Sequence, residues 1–243
     1  MLEHDQRTER RFEENTPTYS LGRYEEVVEF LRDDAPPDAS LLDVGCGSGN
    51  VLKFIADNTS IDDLSGVDVS SEYLEQCAAA VLGCQTYLVS ILDVDLEAAI
   101  GRRFRYVLVG AVLHHLVGNT RQKSLTYARE GLVNAWSLVE AGGVLVLMEP
   151  TFRPRWLMSA LFYIKRLVSR VASGRVSLFG YWNNLGEPVV SFFSHHVLVR
   201  EARELPGASF VLELKKTKSL PLIWRLTGIS ERADSVLIMR KTR

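Results

Sequence analysis

Residues Leu41–Asn50 read Leu-Leu-Asp-Val-Gly-Cys-Gly-Ser-Gly-Asn, and this stretch leaves the chain few folds to choose from. The apolar residues around Asp43 make the end of a buried strand. Glycines at alternate positions, Gly45, Gly47 and Gly49, then bend the chain, and Asn50-Val51-Leu52-Lys53-Phe54-Ile55 leaves as a helix. Glycine is required wherever the backbone takes positive φ or lets a ligand come into contact. A strand, a tight glycine turn and a helix N-terminus form a cradle of backbone N–H groups suited to a small polar ligand.

The rest of the chain builds out from that cradle. Leu21–Arg32 has Tyr24, Val27, Val28 and Leu31 at helical spacing, part of an N-terminal helical arm over 1–35 that ends at Asp33-Asp34-Ala35-Pro36-Pro37. Strands are predicted at Ser40–Val44, Leu64–Val69, Gln85–Ile91, Phe104–Val109 and Val144–Met148. A helix capped by Ser70 or Ser71 points Leu74, Cys77, Ala78 and Val81 inward and is closed by Gly83. A longer one spans 120–140, with Leu125, Ala128, Leu132, Ala135, Trp136 and Val139 on one side and Gly142-Gly143 as terminator. Near-continuous Val/Leu/Ile strands alternating with helices mean a parallel sheet covered on both faces. After Pro150 the alternation breaks. An insertion over 151–190 precedes a helix at about 195–204, which Ser194 would cap, and two late strands, Ser209–Lys216 and Asp234–Lys241. The expected fold is α/β: one domain over 1–243, with a doubly wound, mostly parallel seven-stranded sheet and a helical lid insertion.

Composition narrows the function. The chain is 47% hydrophobic and 24% charged with a formal net charge of −2, which argues against nucleic acid as the main partner. Its three cysteines have no metal-ligand spacing, and no His/Asp/Glu cluster has it either, so metal independence and a reducing, cytoplasmic location are expected. No apolar run is long enough to span a bilayer, and the polar, acidic start is unlike a signal peptide.

Two ligands compete for the glycine turn. A dinucleotide fold wants Gly-x-Gly-x-x-Gly, and Gly45-x-Gly47-x-Gly49 is one residue shorter. Asp68, at the end of the second strand, can accept both ribose hydroxyl protons of any adenosine-containing cofactor. The shorter turn preceded by Asp43 resembles the first motif of class I S-adenosylmethionine-dependent methyltransferases. Gly66–Val69 resembles their second-strand acid, Val112-Leu113-His114-His115-Leu116 a segment frequent in their small-molecule members, and Ala141–Pro150 their helix-Gly-Gly-strand-Glu-Pro segment. The resemblance covers about residues 19–150, and the last two strands fit the family's antiparallel end, so it implies a Rossmann-like sheet with an antiparallel final strand. It implies S-adenosylmethionine as cofactor and S-adenosylhomocysteine as product. Gly45, Gly47 and Gly49 would face the methionine portion, Asp43 would order the turn or hold the cofactor amine through water, and Asp68 with Val69 would take the ribose. The adenine acid of the family has no clear counterpart. Ser90 or Ile91 falls at its position, with Leu92 beside it and Asp93 two or three residues late. Phe104-Arg105 stands where the family often has Phe-Asp. Val109 and Gly110 would offer backbone groups to the cofactor amine. Tyr19 and Arg23 resemble the arm that closes over the cofactor, where Arg23 could pair with its carboxylate.

Methyl transfer to a hydroxyl needs alignment and then proton removal, and neutral histidine, with an ordinary pKa of about 6.5, suits the second task. His114 and His115 follow the fourth strand on the rim where open α/β sheets bind ligands. Adjacent residues cannot both enter one pocket, so one is expected in the site, with His115 favoured as base, and the other in a structural role. Glu149, ending the fifth strand on the same rim, would orient a histidine or bind the acceptor, or else be a strand-end carboxylate satisfied by backbone N–H groups. From Arg155 to Val171 the apolar stripe Trp156, Leu157, Ala160, Leu161, Ile164, Leu167, Val168 and Val171 lies opposite Arg155, Arg166 and Arg170, with Met158 and Phe162 exposed near the basic face. The favoured reading is a lid that packs this stripe over the active site. The alternative is a basic amphipathic helix on an anionic membrane surface or admitting a lipid-like acceptor. Tyr181-Trp182-Asn183-Asn184 and Phe192-Phe193-Ser194-His195-His196 add aromatic and hydrogen-bonding groups near the expected mouth. The expectation is O-methylation of a small molecule. N-methylation, a lipid or isoprenoid acceptor at a membrane, a non-catalytic cofactor-binding protein and a nicotinamide oxidoreductase are the rivals.

Overall fold

The computed structural model describes residues 21–171 and 189–242. Residues 1–20, with Tyr19, and Tyr181–Asn184 of the insertion lie outside them. A 3-10 turn (Leu21–Tyr24) leads into α1 (Glu25–Asp34), followed by β1 (Ser40–Val44), α2 (Asn50–Asn58), β2 (Asp63–Asp68), α3 (Ser71–Ala80) and β3 (Gln85–Leu88). A short α4 (Leu96–Ile100) precedes β4 (Phe104–Gly110), the 3-10 turn Leu113–His115, α5 (Arg121–Ser137), β5 (Val139–Arg153) and α6 (Arg155–Val171). The chain then gives α7 (His195–Arg203), β6 (Ala208–Lys218), α8 (Leu222–Leu226) and β7 (Glu231–Lys241).

The strands form one seven-stranded sheet in the order β3-β2-β1-β4-β5-β7-β6. The first five are parallel, and β7 runs antiparallel to both β5 and β6. Strand period places alternate residues on opposite faces. Leu42, Val44, Val107, Val109, Leu145 and Leu147 pack under α5 and α7, whereas Leu41, Tyr106, Leu108, Val144 and Val146 pack under α1, α2 and α3. The strand order reverses between β1 and β4, and the crevice at their carboxyl ends is where ligands of such sheets bind. Among the described residues no helix is long and apolar enough to cross a membrane.

Several elements differ from expectation. β3 stops at Leu88 because Ser90 turns the chain: its hydroxyl accepts from Leu92 N–H at 3.2 Å and its carbonyl from Asp93 N–H at 3.0 Å. α5 ends at Ser137 rather than at the glycine pair, since fully buried Val139 already pairs with Phe104. Gly142 and Gly143 instead mark an irregularity in the β4–β5 ladder, where a Cβ on Gly143 would stand 2.8 Å from the Arg105 carbonyl oxygen. β5 does not end at Pro150 but continues to Arg153 along β7. Pro150 faces Asp234 of β7, and its missing N–H would point to the β4 side, where β4 has already ended, so no ladder bond is lost.

The orientation of α6 is the largest correction. Met158 and Phe162 are buried, while Trp156, Ile164 and Leu167 of the expected inward stripe are exposed. Basic groups decide this. Arg166 donates to the Gly118 carbonyl at 2.9 Å, and the Arg121 guanidinium lies 5.9 Å from the Phe162 ring centroid. Both draw the Met158–Phe162–Arg166 face inward, since these positions lie four residues apart on one helix surface. Ala78 of α3 also proves exposed.

Candidate active site

The cradle forms as its sequence requires. Gly45, Gly47 and Gly49 have φ of +76°, +51° and +80°, the left-handed region that side-chain-bearing residues rarely enter. Sterics add to this at Gly45, where a Cβ would lie 2.5 Å from Val112 Cγ2. Gly45 and Cys46 both donate to the Val67 carbonyl, at 2.7 and 3.0 Å, which ties the turn to β2. Asp68, ending β2, accepts from Gly47 N–H at 2.9 Å through one oxygen and from Ser70 N–H at 3.0 Å through the other. Ser70 caps α3 by accepting from Tyr73 N–H. Beneath the turn Asp43 is buried, and burial first, then the nearby Asp68 charge, pushes its carboxyl up to about 7. The three cysteines gather below the same turn. Cys77 Sγ is 4.0 Å from Cys84 Sγ, a Cβ on Gly49 would be 2.9 Å from Cys77 Sγ, and the bond with Cys46 helps lift the Cys77 thiol to about 12.

The remaining positions expected to meet the cofactor are less uniform. Val69 is exposed just past Asp68. Ile91 buries its side chain in the core and its carbonyl accepts from Asn134 Nδ2 at 2.8 Å. Leu92 is half-buried and Asp93 is exposed in the turn that Ser90 shapes. Val109 sits inside the ladder, registered on Val44 and Leu147, while Gly110 ends β4 opposite Met148. A Cβ on Gly110 would meet the Tyr24 hydroxyl at 2.5 Å, so the N-terminal segment reaches the tip of β4. Asn134 escaped sequence reading. Its only trace was an asparagine inside a helix, where the side chain competes with the backbone and is poorly favoured.

On the far side of the crevice Ala111 takes φ +60°, the one non-glycine among the described residues with positive φ. That sharp exit from β4 turns three successive amides toward β5. Glu149 receives them: Leu113 N–H donates to Oε1 at 2.6 Å, and Val112 and His114 also bond to the carboxyl through backbone. Its other oxygen faces His114 Nδ1 at 2.7 Å, and both side chains are buried. Burial pushes Glu149 up to about 8 and His114 down to about 3, so desolvation drives both toward their neutral forms. His115 is half-buried, its ring 4.0 Å from that of His114. The pair therefore divides: His114 belongs to the buried frame and His115 reaches the accessible side.

Arg23 lies on this side too. Its Nη2 is 3.6 Å from Asp234 Oδ1, and Lys218 Nζ is 2.5 Å from the other oxygen of that buried carboxylate. The Arg23 charge also bears on Glu149 and His114. Asp234 gave no signal in sequence, because it stands opposite Pro150 only through the antiparallel register. Ser194 precedes α7 without a side-chain capping bond, and His195 is held by Ser235 Oγ at 2.8 Å and Glu213 Oε1 at 3.3 Å. No group of three or more His, Cys, Asp or Glu among the described residues could hold a metal ion.

The donor set suits a cationic adenosyl ligand. Gly47 has open space where a Cβ would be, one carboxylate stands at the rim, and a second lies buried beneath and would be relieved by positive charge. Residues 42–145 match the model of a family described as a methyltransferase domain. No curated protein sequence matches the chain. Among solved structures, a magnesium protoporphyrin IX methyltransferase from Synechocystis with S-adenosylmethionine bound is 14% identical with a TM-score of 0.56, over 91% of this chain and 79% of that one. The N-methyltransferase NodS from Bradyrhizobium japonicum, in complex with S-adenosylhomocysteine, is 14% identical with a TM-score of 0.56, over 98% of both chains. An amino pentose methyltransferase from Micromonospora echinaspora is 15% identical with a TM-score of 0.56, over 93% of both. Likeness at such identity is likeness of fold. A methyltransferase-domain match over residues 42–145 and this sheet order, with its glycine cradle and strand-end acid, give the chain the fold of class I S-adenosylmethionine-dependent methyltransferases.

Proposed function

We propose that the protein methylates a hydroxyl of a small molecule, with His115 as general base. S-adenosylmethionine supplies an electrophilic methyl group on a sulfonium. The chain's own residues do the rest. Gly45, Gly47 and Gly49 let the backbone approach the cofactor, Asp43 and Asp68 answer its positive charge and its ribose, and Gly110 leaves room at the tip of β4. One observation carries the choice of a hydroxyl: a half-buried histidine whose ring leans on a buried His114–Glu149 pair. Glu149 holds the 3-10 turn by its amides and His114 by its Nδ1, so the turn carrying His115 is fixed relative to β4. A positioned base of this kind contributes about 10²–10⁴ in rate. His115→Ala is therefore expected to lower turnover on a hydroxyl acceptor by about a hundredfold or more, with cofactor affinity unchanged. An amine acceptor needs no strong base, and turnover that survives this substitution identifies one. The thiols Cys46, Cys77 and Cys84 are unpaired, which supports a reducing compartment such as the cytoplasm.

Asp43 gives a second test. Its folded pKa of about 7 stands above the ordinary value of 3.8, so the folded apoprotein keeps a proton that the unfolded chain releases. This contribution to stability is full below about pH 4 and is lost as pH rises to about 7. A cationic cofactor favours the ionised carboxylate, so binding near pH 7 is expected to release a proton. Calorimetry of S-adenosylmethionine binding in buffers of different ionisation enthalpy measures it. Heats that do not depend on the buffer, or a dependence that persists in Asp43→Asn, would refute the assignment.

A further inference from the structure

A cavity of about 60 Å³ opens beside the start of α6, outside the crevice of the β1–β4 switch point. Arg121 and Gln122 of α5, Arg155 and Ser159 of α6, and Phe193 and Ser194 before α7 line it. Two guanidiniums thus face one small space. Burial and the Arg155 charge together hold Arg121 below its ordinary value, the mark of like charges brought together. Among the described residues no carboxylate lines the cavity or pairs with either arginine.

The fold could have turned these side chains apart, because Arg155 is exposed. Arg121 is instead fixed. Its Nη1 donates to Ser191 Oγ at 3.0 Å and its Nη2 to the Phe192 carbonyl at 2.7 Å, which spends two of five N–H donors. Phe193 backs the same guanidinium, with its ring centroid 5.9 Å away. Ser194 makes no capping bond to α7, so its hydroxyl is not committed to that helix. A planar guanidinium held still, with a second one opposite and amide and hydroxyl groups between, matches an oxyanion rather than a neutral or cationic ligand. The helices that begin here add their dipoles to the same potential.

We propose that this cavity is an oxyanion site taking a phosphate group. The site touches the methylation machinery through few bonds. Ser191, which accepts from Arg121, donates its N–H to the His114 carbonyl at 2.8 Å, and the Phe192 ring stacks on His114 at 5.2 Å. Two sources share the chemistry: a phosphate carried by a free small molecule, and a phospholipid headgroup, for which the exposed Trp156, Ile164 and Leu167 of the same helix would supply apolar contact. The site goes beyond methyl transfer and stands or falls independently of it.

The test titrates the full-length protein with inorganic phosphate at constant ionic strength, with chloride as the reference anion, followed by calorimetry. Saturable binding is expected in the wild type. It should weaken about tenfold or more in Arg155→Glu and in Arg155→Gln, since a charge-assisted bond is worth about that factor. Arg225→Glu on exposed α8 should leave it unchanged. Arg155 is exposed, so both variants are expected to fold, which their thermal midpoints verify. Sedimentation with phosphatidic acid vesicles separates the sources. Pelleting that phosphate reverses assigns a lipid headgroup, and phosphate binding without pelleting assigns a free small molecule. The inference is overturned if neither phosphate binding nor phosphate-reversible pelleting occurs, or if Arg155→Glu responds as the wild type does. Cofactor binding is measured in parallel, so failure here is distinguishable from failure of the methyltransferase assignment.

Discussion

Asp68→Ala is expected to weaken S-adenosylhomocysteine binding by about a hundredfold to a thousandfold. The side chain does two jobs in one place. Its carboxylate accepts Gly47 N–H at 2.9 Å and Ser70 N–H at 3.0 Å, so it shapes the glycine turn and starts the α3 cap before any ligand arrives. It is also the proposed acceptor of the ribose hydroxyls. Hydrogen bonds to a charged group are worth about 1.5–3 kcal/mol each, and about 1.4 kcal/mol is tenfold in affinity. Alanine loses the ribose contacts and leaves the turn to reorganise at each binding event. Asparagine keeps an acceptor but no charge, and should fall between. Calorimetric titration with S-adenosylhomocysteine checks both variants. An alanine variant that binds within about threefold of wild type would remove Asp68 from the cofactor site.

Glu149→Ala should have the largest effect on stability, a loss of about 3–5 kcal/mol. Glu149 is buried, accepts from Leu113 N–H at 2.6 Å with further bonds from Val112 and His114, and pairs with buried His114 at 2.7 Å. Removing it strands several buried donors at once. Each unsatisfied group costs about 1–3 kcal/mol. A domain of this kind has about 5–15 kcal/mol in total. Glu149→Gln keeps one carbonyl for the amides and is expected to lose less than half as much. Urea denaturation measures the difference. A loss under about 1 kcal/mol in the alanine variant would mean that these amides find other partners or water.

The two predictions divide along what can be read in advance. The cradle was legible because its causes are local: three glycines at alternate positions need positive φ, and a carboxylate at the end of the next strand lies beside them in any parallel pairing of β1 with β2. The alternation of strands and helices was legible for the same reason, whereas the antiparallel end was implied only by the family resemblance of the last two strands. The role of Glu149 was open between orienting a histidine or binding the acceptor and backbone satisfaction, and in the structure it both accepts the amides that follow Ala111 and pairs with His114. The two histidines were separable in principle but not in assignment, since burial against β5 and not sequence order sends His114 inward.

The amino-acid sequence by itself determined the sheet, the glycine cradle and the acid beside it, because strand period, glycine conformation and short-range capping depend on neighbours along the chain. Only the tertiary structure decided which side of α6 is buried, that β5 runs past Pro150 along β7, that Arg23 faces Asp234, and that Arg121 and Arg155 share one cavity. Each of these depends on competition between partners far apart in sequence. An amphipathic pattern fixes that a helix has two faces, but a distant carbonyl at Gly118 and the Arg121 guanidinium choose the one that turns inward.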